Sequence, residues 1–452
     1  MNPDGKRGNP VPYFAWILLQ ERIVDDSKPR ALVVPASSPN GYGVVRSLAA
    51  RGISVLALDH TPSPLRRSRL CDFRLVPDPD SRPLEFGDAL LEIASRDAAR
   101  PALFVAQDLH GTVVQQQARR LERHLRFPFM DERRYRVCID KRDMLRCAAG
   151  AGLDVPESHW PADSAALRRI LPRLNRYPYV LKPAAKFEWR AGRPCRNFEF
   201  HETFGVKALR ARTPEELRRR FDETRGRGFT MIVQEEIEGP ADRLVAIDFY
   251  ADANQRILVH HTGRKLRQYP SDFGTCTLGE TCSESALLPL ARRLVAAARF
   301  HGIGNIEFKR RGDRLYLMEI NPRPWMWIHL ATAAGINIAH VAWRDLIGLP
   351  PRPVGSQRDR TRWVDTRMDA YHLGDDLRRR LRSVPPWMLD LVSARSEARW
   401  AFNDPLPLVS RLVSAAGRRL ARRVSPGKTL HRRSPAIANP EPVRPGWGPR
   451  DS

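Results

Sequence analysis

Residues 304–325, reading GNIEFKRRGDRLYLMEINPRPW, hold two carboxylates and an amide in one short stretch and dictate how that stretch folds. Arg311-Gly312-Asp313-Arg314 is a turn signal between two alternating runs. The segment therefore reads as a β-hairpin, and folding it there sets Glu307 opposite Glu319 to within about one residue of register. Glu319 and Asn321 have the same parity, which on a strand directs both side chains to one face and Ile320 to the other. Two carboxylates and an amide oxygen suit Mg2+, a hard cation that takes one or two carboxylates and completes its shell with water and substrate phosphate. Arg323 keeps that parity and presents a planar cation to an oxyanion beside such a site. A surface hairpin with two solvated acids would satisfy the same spacing. Asn-Pro-Arg-Pro-Trp tells against it, because two prolines end a strand stiffly instead of continuing a sheet.

A chain of 452 residues is long enough for roughly two to four domains, and 42% hydrophobic residues is an ordinary globular value. The formal charge of +25, mostly from arginine, implies acidic partners: nucleotide phosphates, an anionic substrate, nucleic acid or an anionic membrane surface. There is no zinc-ligand spacing, RNA-recognition pattern or helix-turn-helix, so specific nucleic-acid binding is not expected. Six cysteines without a C-x-x-C pair fit a reduced, cytoplasmic protein. Residues 13–19 are apolar but too short to span a bilayer, and no cleavage site follows.

After a leader, 1–29, expected to be poorly ordered, residues 30–59 read strand, glycine-containing turn, helix, strand, a βαβ unit of a parallel sheet. Asn40-Gly41-Tyr42-Gly43 lacks the full dinucleotide spacing. A strand at 102–106 leads into Gln107-Asp108 and a helix over about 113–125, and this first domain is expected to span 30–130. Asp140-Lys141-Arg142 opens a helix that closes at 150–152, and YVLKP at 179–183 is a short apolar strand delivering Lys182. Residues 231–239, MIVQEEIEG, read as a strand and linker. In HTGRKLRQYP, 261–270, the pattern sets Lys265, Arg267 and Tyr269 on one face if the run is extended, while His260 and His261 point oppositely and are read as structural.

Taken together and in this order, these segments resemble the ATP-grasp superfamily over about 31–348. The runs 261–270 and ATAAGIN at 331–337 are most similar to its predicted ATP-dependent carboligase branch, which is related to D-aspartate ligase and carbamoyl-phosphate-synthase-type enzymes. The resemblance implies an α/β chain: an ATP-grasp fold of two α+β lobes clasping ATP, a Rossmann-like parallel α/β domain before it, and a basic C-terminal helical extension. The implied boundaries are 131–230 for the small lobe, 231–348 for the large lobe with the metal site, 349–424 for the extension and 425–452 for a disordered tail. Lys141 and Lys182 would hold ATP phosphates. Gln234, Glu235, Glu236 and Ile237 would border adenine, and Asp242 would contact ribose unless Glu235 or Glu236 does so. Glu307, Glu319 and Asn321 would bind Mg2+ (or Mn2+). Lys265, Arg267 and Arg323 would stabilise the acceptor carboxylate or its acyl phosphate. The chain departs from the family between Lys182 and Lys207, where a glycine-rich phosphate lid is usual: only Gly192 and Gly205 are present, and Lys186, Arg190 or Arg193 would substitute with side chains.

The expected activity is that of an ADP-forming carboxylate–amine ligase, with small-molecule carboxylate and amine substrates. A kinase or carboxylase-type enzyme, or a non-catalytic ATP-binding scaffold at a membrane, are the alternatives. Beyond 349 the chain is rich in Pro and Arg, with helical patches at 375–384 and 406–424. The second is basic and amphipathic, a pattern that can lie peripherally on anionic lipid or dock on the protein itself.

Overall fold

The computed structural model describes residues 28–185, 187–190, 193–350, 352–378 and 384–413. The leader, Lys186, Gly192, most of the 406–424 helix and the tail lie outside the described residues, and of Arg190 and Arg193 only the strand backbone is described. Residues Met1–Leu408 form one compact unit and Val409–Ser452 a second, of which 409–413 are described and helical.

The first sheet is parallel, with β1 (Ala31–Val34), β2 (Val55–Asp59), β3 (Asp72–Leu75) and β4 (Ala102–Val105) in the order β3-β2-β1-β4. Every residue of β1 and β2 is buried, as continuous apolar runs with both faces covered require. The helix Pro39–Ala49 starts at an N-cap, Ser38, whose Oγ accepts from Gly41 N at 3.1 Å. A Cβ on Gly41 would lie 2.1 Å from Pro35 O, and one on Gly43 would lie 2.8 Å from Ile328 Cγ2. These two glycines thus permit close backbone and helix packing, which accounts for their spacing without a dinucleotide.

The second sheet is antiparallel. It contains β5 (Ser158–His159), β6 (Tyr179–Pro183), β9 (Leu209–Ala211) and β10 (Met231–Glu235), ordered β5-β10-β6-β9. Leu167, Phe200, Leu217, Phe221 and Phe229 pack beneath it. Between β6 and β9, where the family usually has a glycine-rich lid, β7 (Phe187–Arg190) and β8 (Arg193–Arg196) form a separate two-stranded hairpin followed by the helix Asn197–Phe204.

The third sheet has seven strands. β11 (Leu244–Ala251), β12 (Ile257–Tyr269), β13 (Thr275–Thr281), β14 (Gly302–Arg311), β15 (Arg314–Asn321), β16 (Arg362–Val364) and β17 (Ala394–Glu397) lie in the order β15-β14-β11-β12-β13-β16-β17. Two features differ from the sequence-based boundaries. The helices Glu132–Ile139 and Lys141–Gly150, assigned to the small lobe, share a core with this sheet, because Met144, Leu145 and Ala148 are buried with Leu294, Phe308 and Leu317. The sheet also runs on past Gly348 through β16 and β17, and buried acids fasten that region: Asp365 pairs with Arg399 at 2.8 Å, and Asp404 accepts from Tyr42 Oη and Arg69 N at 3.1 and 2.9 Å. The patch expected at 375–384 is instead two helices, Thr366–Arg378 and Val384–Ser393, separated by residues outside the description. No helix among the described residues is long and apolar enough to cross a membrane.

Candidate active site

The β14–β15 hairpin turns at Gly312, whose φ of +59° is the left-handed conformation that glycine adopts without a Cβ penalty. Its register pairs Glu307 directly with Glu319 and Asn305 with Asn321. Next to this pair the register slips, Phe308 facing Leu317, so β15 carries one extra residue, a bulge that sharpens the local twist beside the two acids. Burial raises the Glu307 carboxyl above the ordinary carboxylate range and Glu319 adds to it, while Lys265, Lys207 and Arg323 pull the other way. Two like charges in register and partly removed from water call for a cation between them. No group of three or more His, Cys, Asp or Glu able to hold a metal occurs among the described residues. Two carboxylates and one amide oxygen suit an ion that keeps water and phosphate in its shell.

Cations from several elements surround these acids. Lys182, on β6, donates to Gln234 Oε1 at 2.9 Å. Burial first, and then Lys141 and Lys309, push its ammonium down to about 8 against the attraction of Glu319 and Glu236. Lys141 opens its helix behind the N-cap Asp140, and its backbone N donates to Ala184 O at 3.0 Å, tying the helix start to the end of β6. The two lysines expected to face phosphate are thus neighbours. Lys265 is buried at 6% exposure and acts on Glu307. Two further lysines were not foreseen. Lys309 is lowered by burial and by Lys265, against the pull of Glu236; its parity with Glu307 on β14 was the available signal. Lys207 is exposed on the surface, donates to Thr275 Oγ1, and lies close enough to Lys265, Glu319 and Glu307 to feel their charges. Nothing local in the sequence marks it. Burial is the main cause of the shifts at Lys182 and Lys309 and neighbouring cations add to it, so the lysines form a positive surface suited to an anionic ligand.

Gln234, Glu235, Glu236 and Ile237 run along the end of β10 as expected, but their side chains are committed. Gln234 bridges Lys182 and Ser158, the latter at 3.0 Å. Glu235 pairs with Arg311 and Arg176 and accepts from Glu157 N, whereas Glu236 takes a bidentate fork from Arg210 at 2.6 and 2.7 Å. Ile237 is buried at 1% exposure. A nucleotide at this edge would find both acids already paired with arginines. Asp242 sits exposed in the turn Ala241–Arg243.

Arg323 is held by Asp108 at 3.0 Å and reaches Asn321 Oδ1 at 3.4 Å. Burial works against its charge, but Asp108, Glu319 and Glu307 outweigh it and the guanidinium is raised. The same loop is clamped from the first domain by Asn40, whose Nδ2 donates to Pro324 O at 2.8 Å. Asn40 and Asp108 follow the carboxyl ends of β1 and β4, where an open α/β sheet commonly binds its ligand. Arg267 differs from its expected role. The β12–β13 register slips between Lys265 and Arg267 and again after Arg267, which cancels the parity argument, and its fork is taken by Asp369 and Asp390. Its guanidinium is consumed inside the fold.

Two lobes, one on the second sheet and one on the third, with lysines from one facing a carboxylate pair on the other, make an ATP-grasp fold. Residues 229–366 match the family described as ATP-grasp in the biosynthetic pathway with Ter operon. Among solved structures, the chain is similar to biotin carboxylase from Campylobacter jejuni in its β-γ-ATP complex, with a TM-score of 0.55, 14% identity and 74% of each chain covered. It is also similar to N5-carboxyaminoimidazole ribonucleotide synthetase from Thermus thermophilus, with a TM-score of 0.53, 20% identity, and 74% of this chain and 81% of that chain covered. L-amino acid ligase from Bacillus licheniformis gives a TM-score of 0.51 at 14% identity, with 72% and 75% covered. At these identities the likeness establishes the fold. No curated relative matches the chain.

Proposed function

We propose that this protein is an ATP-dependent, ADP-forming carboxylate–amine ligase of the carboligase branch. The observation that carries the reading is the direct register of Glu307 with Glu319 inside a ring of lysines from both lobes. A carboxylate is a poor electrophile in water. Transfer of the γ-phosphoryl group of ATP to a carboxylate oxygen releases ADP and leaves an acyl phosphate; an amine then attacks the acyl carbon, the C–O bond to phosphate breaks, and the amine gives up a proton. Phosphoryl transfer needs alignment and charge neutralisation more than covalent help.

Each part of the site has a task in this scheme. Lys141 and Lys182 hold phosphates from above, joined by Lys309 and Lys207. Glu307, Glu319 and the Asn321 oxygen would hold Mg2+, which when bound neutralises phosphate charge. Lys265 and Arg323 face the acceptor carboxylate, and the loops after β1 and β4 border it. The L-amino acid ligase supports a ligase reading, while the two carboxylating relatives name the competitor. Measuring ADP release with Mg2+ across pools of carboxylates and amines, with a product mass, decides between them. Release that requires both an acid and an amine is expected. Release that requires bicarbonate and no other acid would overturn it.

A further inference from the structure

We infer that a buried row of side chains running across four strands, His261–Asp248–Asn305–Asn321, sets which end of the Asn321 amide faces the metal site, with Asp248 as the positioning residue. The inference rests on the assignment of Asn321 as a metal ligand. The row is built by register: His261 on β12 pairs with Asp248 on β11, Asp248 with Asn305 on β14, and Asn305 with Asn321 on β15. The next row along the same face contains Ala246, Glu307 and Glu319, so the polar row lies one pleat behind the carboxylate pair. All four side chains are buried, at 0%, 3%, 0% and 3% exposure.

Their hydrogen bonds leave one consistent polarity. Burial raises the Asp248 carboxyl while His261 and Asn305 pull it back down; as a carboxylate it accepts at both oxygens, from His261 Nδ1 at 3.3 Å and from Asn305 Nδ2 at 3.1 Å. Asn305 thus turns its amino group toward Asp248 and its Oδ1 to the other side, where it accepts from Asn321 Nδ2 at 3.0 Å. Asn321 in turn points its amino group at Asn305, so its oxygen is the end directed to the site, where Arg323 Nη2 reaches it at 3.4 Å. An amide can coordinate a hard cation only through oxygen. A rotation of Asn321 by half a turn would present an amino group to the ion and leave two donors facing each other in a dry interior, a cost that the row makes prohibitive. An acceptor-only group at position 248 therefore propagates its polarity through two amides to the metal ligand.

Asp248→Asn tests this, because it keeps size and shape but offers one acceptor in place of two. With the His261 proton on Nδ1, His261 takes that oxygen, the new amino group faces Asn305, both amides reverse, and Asn321 turns its nitrogen to the site; with the proton moved to Nε2, which has no hydrogen-bond partner, the row keeps its polarity, so Asn305→Ser carries the decision. The measurement is Mn2+ binding by electron paramagnetic resonance in the presence of ADP, alongside ADP binding in EDTA and the melting temperature. Wild-type protein should bind Mn2+, and Asp248→Asn should bind it about 10- to 100-fold more weakly, the range usual for groups that orient a metal ligand, with ADP binding in EDTA unchanged. Asn305→Ser, too short to reach both neighbours, should behave alike and serves if the first variant does not fold. A folded Asn305→Ser variant that keeps wild-type Mn2+ affinity overturns the inference, as does a parallel loss of melting temperature and EDTA-resistant ADP binding with the Mn2+ affinity intact. Failure of the wild-type protein to bind Mn2+ would instead sink the metal reading itself.

Discussion

Arg267 and Asp369, 102 residues apart in the chain, meet in a two-bond fork, Nε to Oδ1 at 2.9 Å and Nη2 to Oδ2 at 2.6 Å, with 4% and 0% of their side chains exposed. Asp369 also accepts from Thr277 Oγ1 at 2.7 Å and from Trp387 Nε1 at 2.7 Å. The pair joins the third sheet to the helices Thr366–Arg378 and Val384–Ser393. Breaking it leaves an unpaired charge in the interior, so Asp369→Ala should cost about 3–5 kcal/mol in denaturant unfolding. Arg267→Lys should also destabilise, because an ammonium cannot reproduce the fork. A loss under about 1 kcal/mol in both would return Arg267 to the list of groups free to serve substrate.

Glu319→Gln removes one charge from the carboxylate pair without changing its size. ADP release should fall by roughly a hundredfold or more, the scale of losing one preorganised electrostatic contact, while the melting temperature of the nucleotide-free protein holds or rises as the repulsion with Glu307 is relieved. Near-wild-type turnover would take Glu319 out of the site.

The lowered Lys182 ammonium predicts a pH dependence whose sign follows directly. A lysine held at about 8 loses its proton as pH rises through that value, and phosphate binds the protonated form. Affinity for ATP without metal should therefore weaken from pH 7 to pH 9, with proton uptake on binding near the upper end. In Lys182→Met the affinity should be lower throughout and its inflection near 8 lost. A calorimetric titration with the same inflection in both proteins would assign the titration to another lysine, Lys207 or Lys309.

Mass action gives a further test. ATP with Mg2+ at about a hundred times its dissociation constant should stabilise the native state by about 2.7 kcal/mol and raise the melting temperature, and the rise should shrink with chelator. No shift at saturating nucleotide would count against the ATP reading.

We also propose that the basic C-terminal region makes peripheral contact with anionic lipid. The buried Asp404, bonded to Tyr42, Ser68 and Arg69, shows where a truncation must stop if the fold is to survive. Ending the chain after Leu408 should preserve ADP release and reduce binding to anionic liposomes. Binding by the full chain should weaken with added salt as the screening length shortens. Equal liposome binding by the two proteins would dispose of the lipid contact.

The sequence by itself determined the parts whose geometry is local. Strand alternation and the Arg311-Gly312-Asp313-Arg314 turn set the hairpin and bring Glu307 to within about one residue of Glu319, because a hairpin's register follows from its own turn; the bulge in β15 then makes the pairing direct and sets Asn321 opposite Asn305. Asp140 as N-cap and the apolar run before Lys182 were legible for the same reason, and Lys309 could have been read from its parity with Glu307. Tertiary structure alone decided the rest. A bulge after Lys265 reset the parity on which Arg267 depended, and its partner lies in a helix far along the chain. Lys207 joins the cleft only because the two lobes face each other. The side chains of Glu235 and Glu236 were claimed by Arg311 and Arg210, and the strands β16 and β17 carried the sheet beyond the boundary that composition marked near Gly348. Which charged group finds which partner depends on long-range packing and desolvation, and neither leaves a short-range signature in the order of residues.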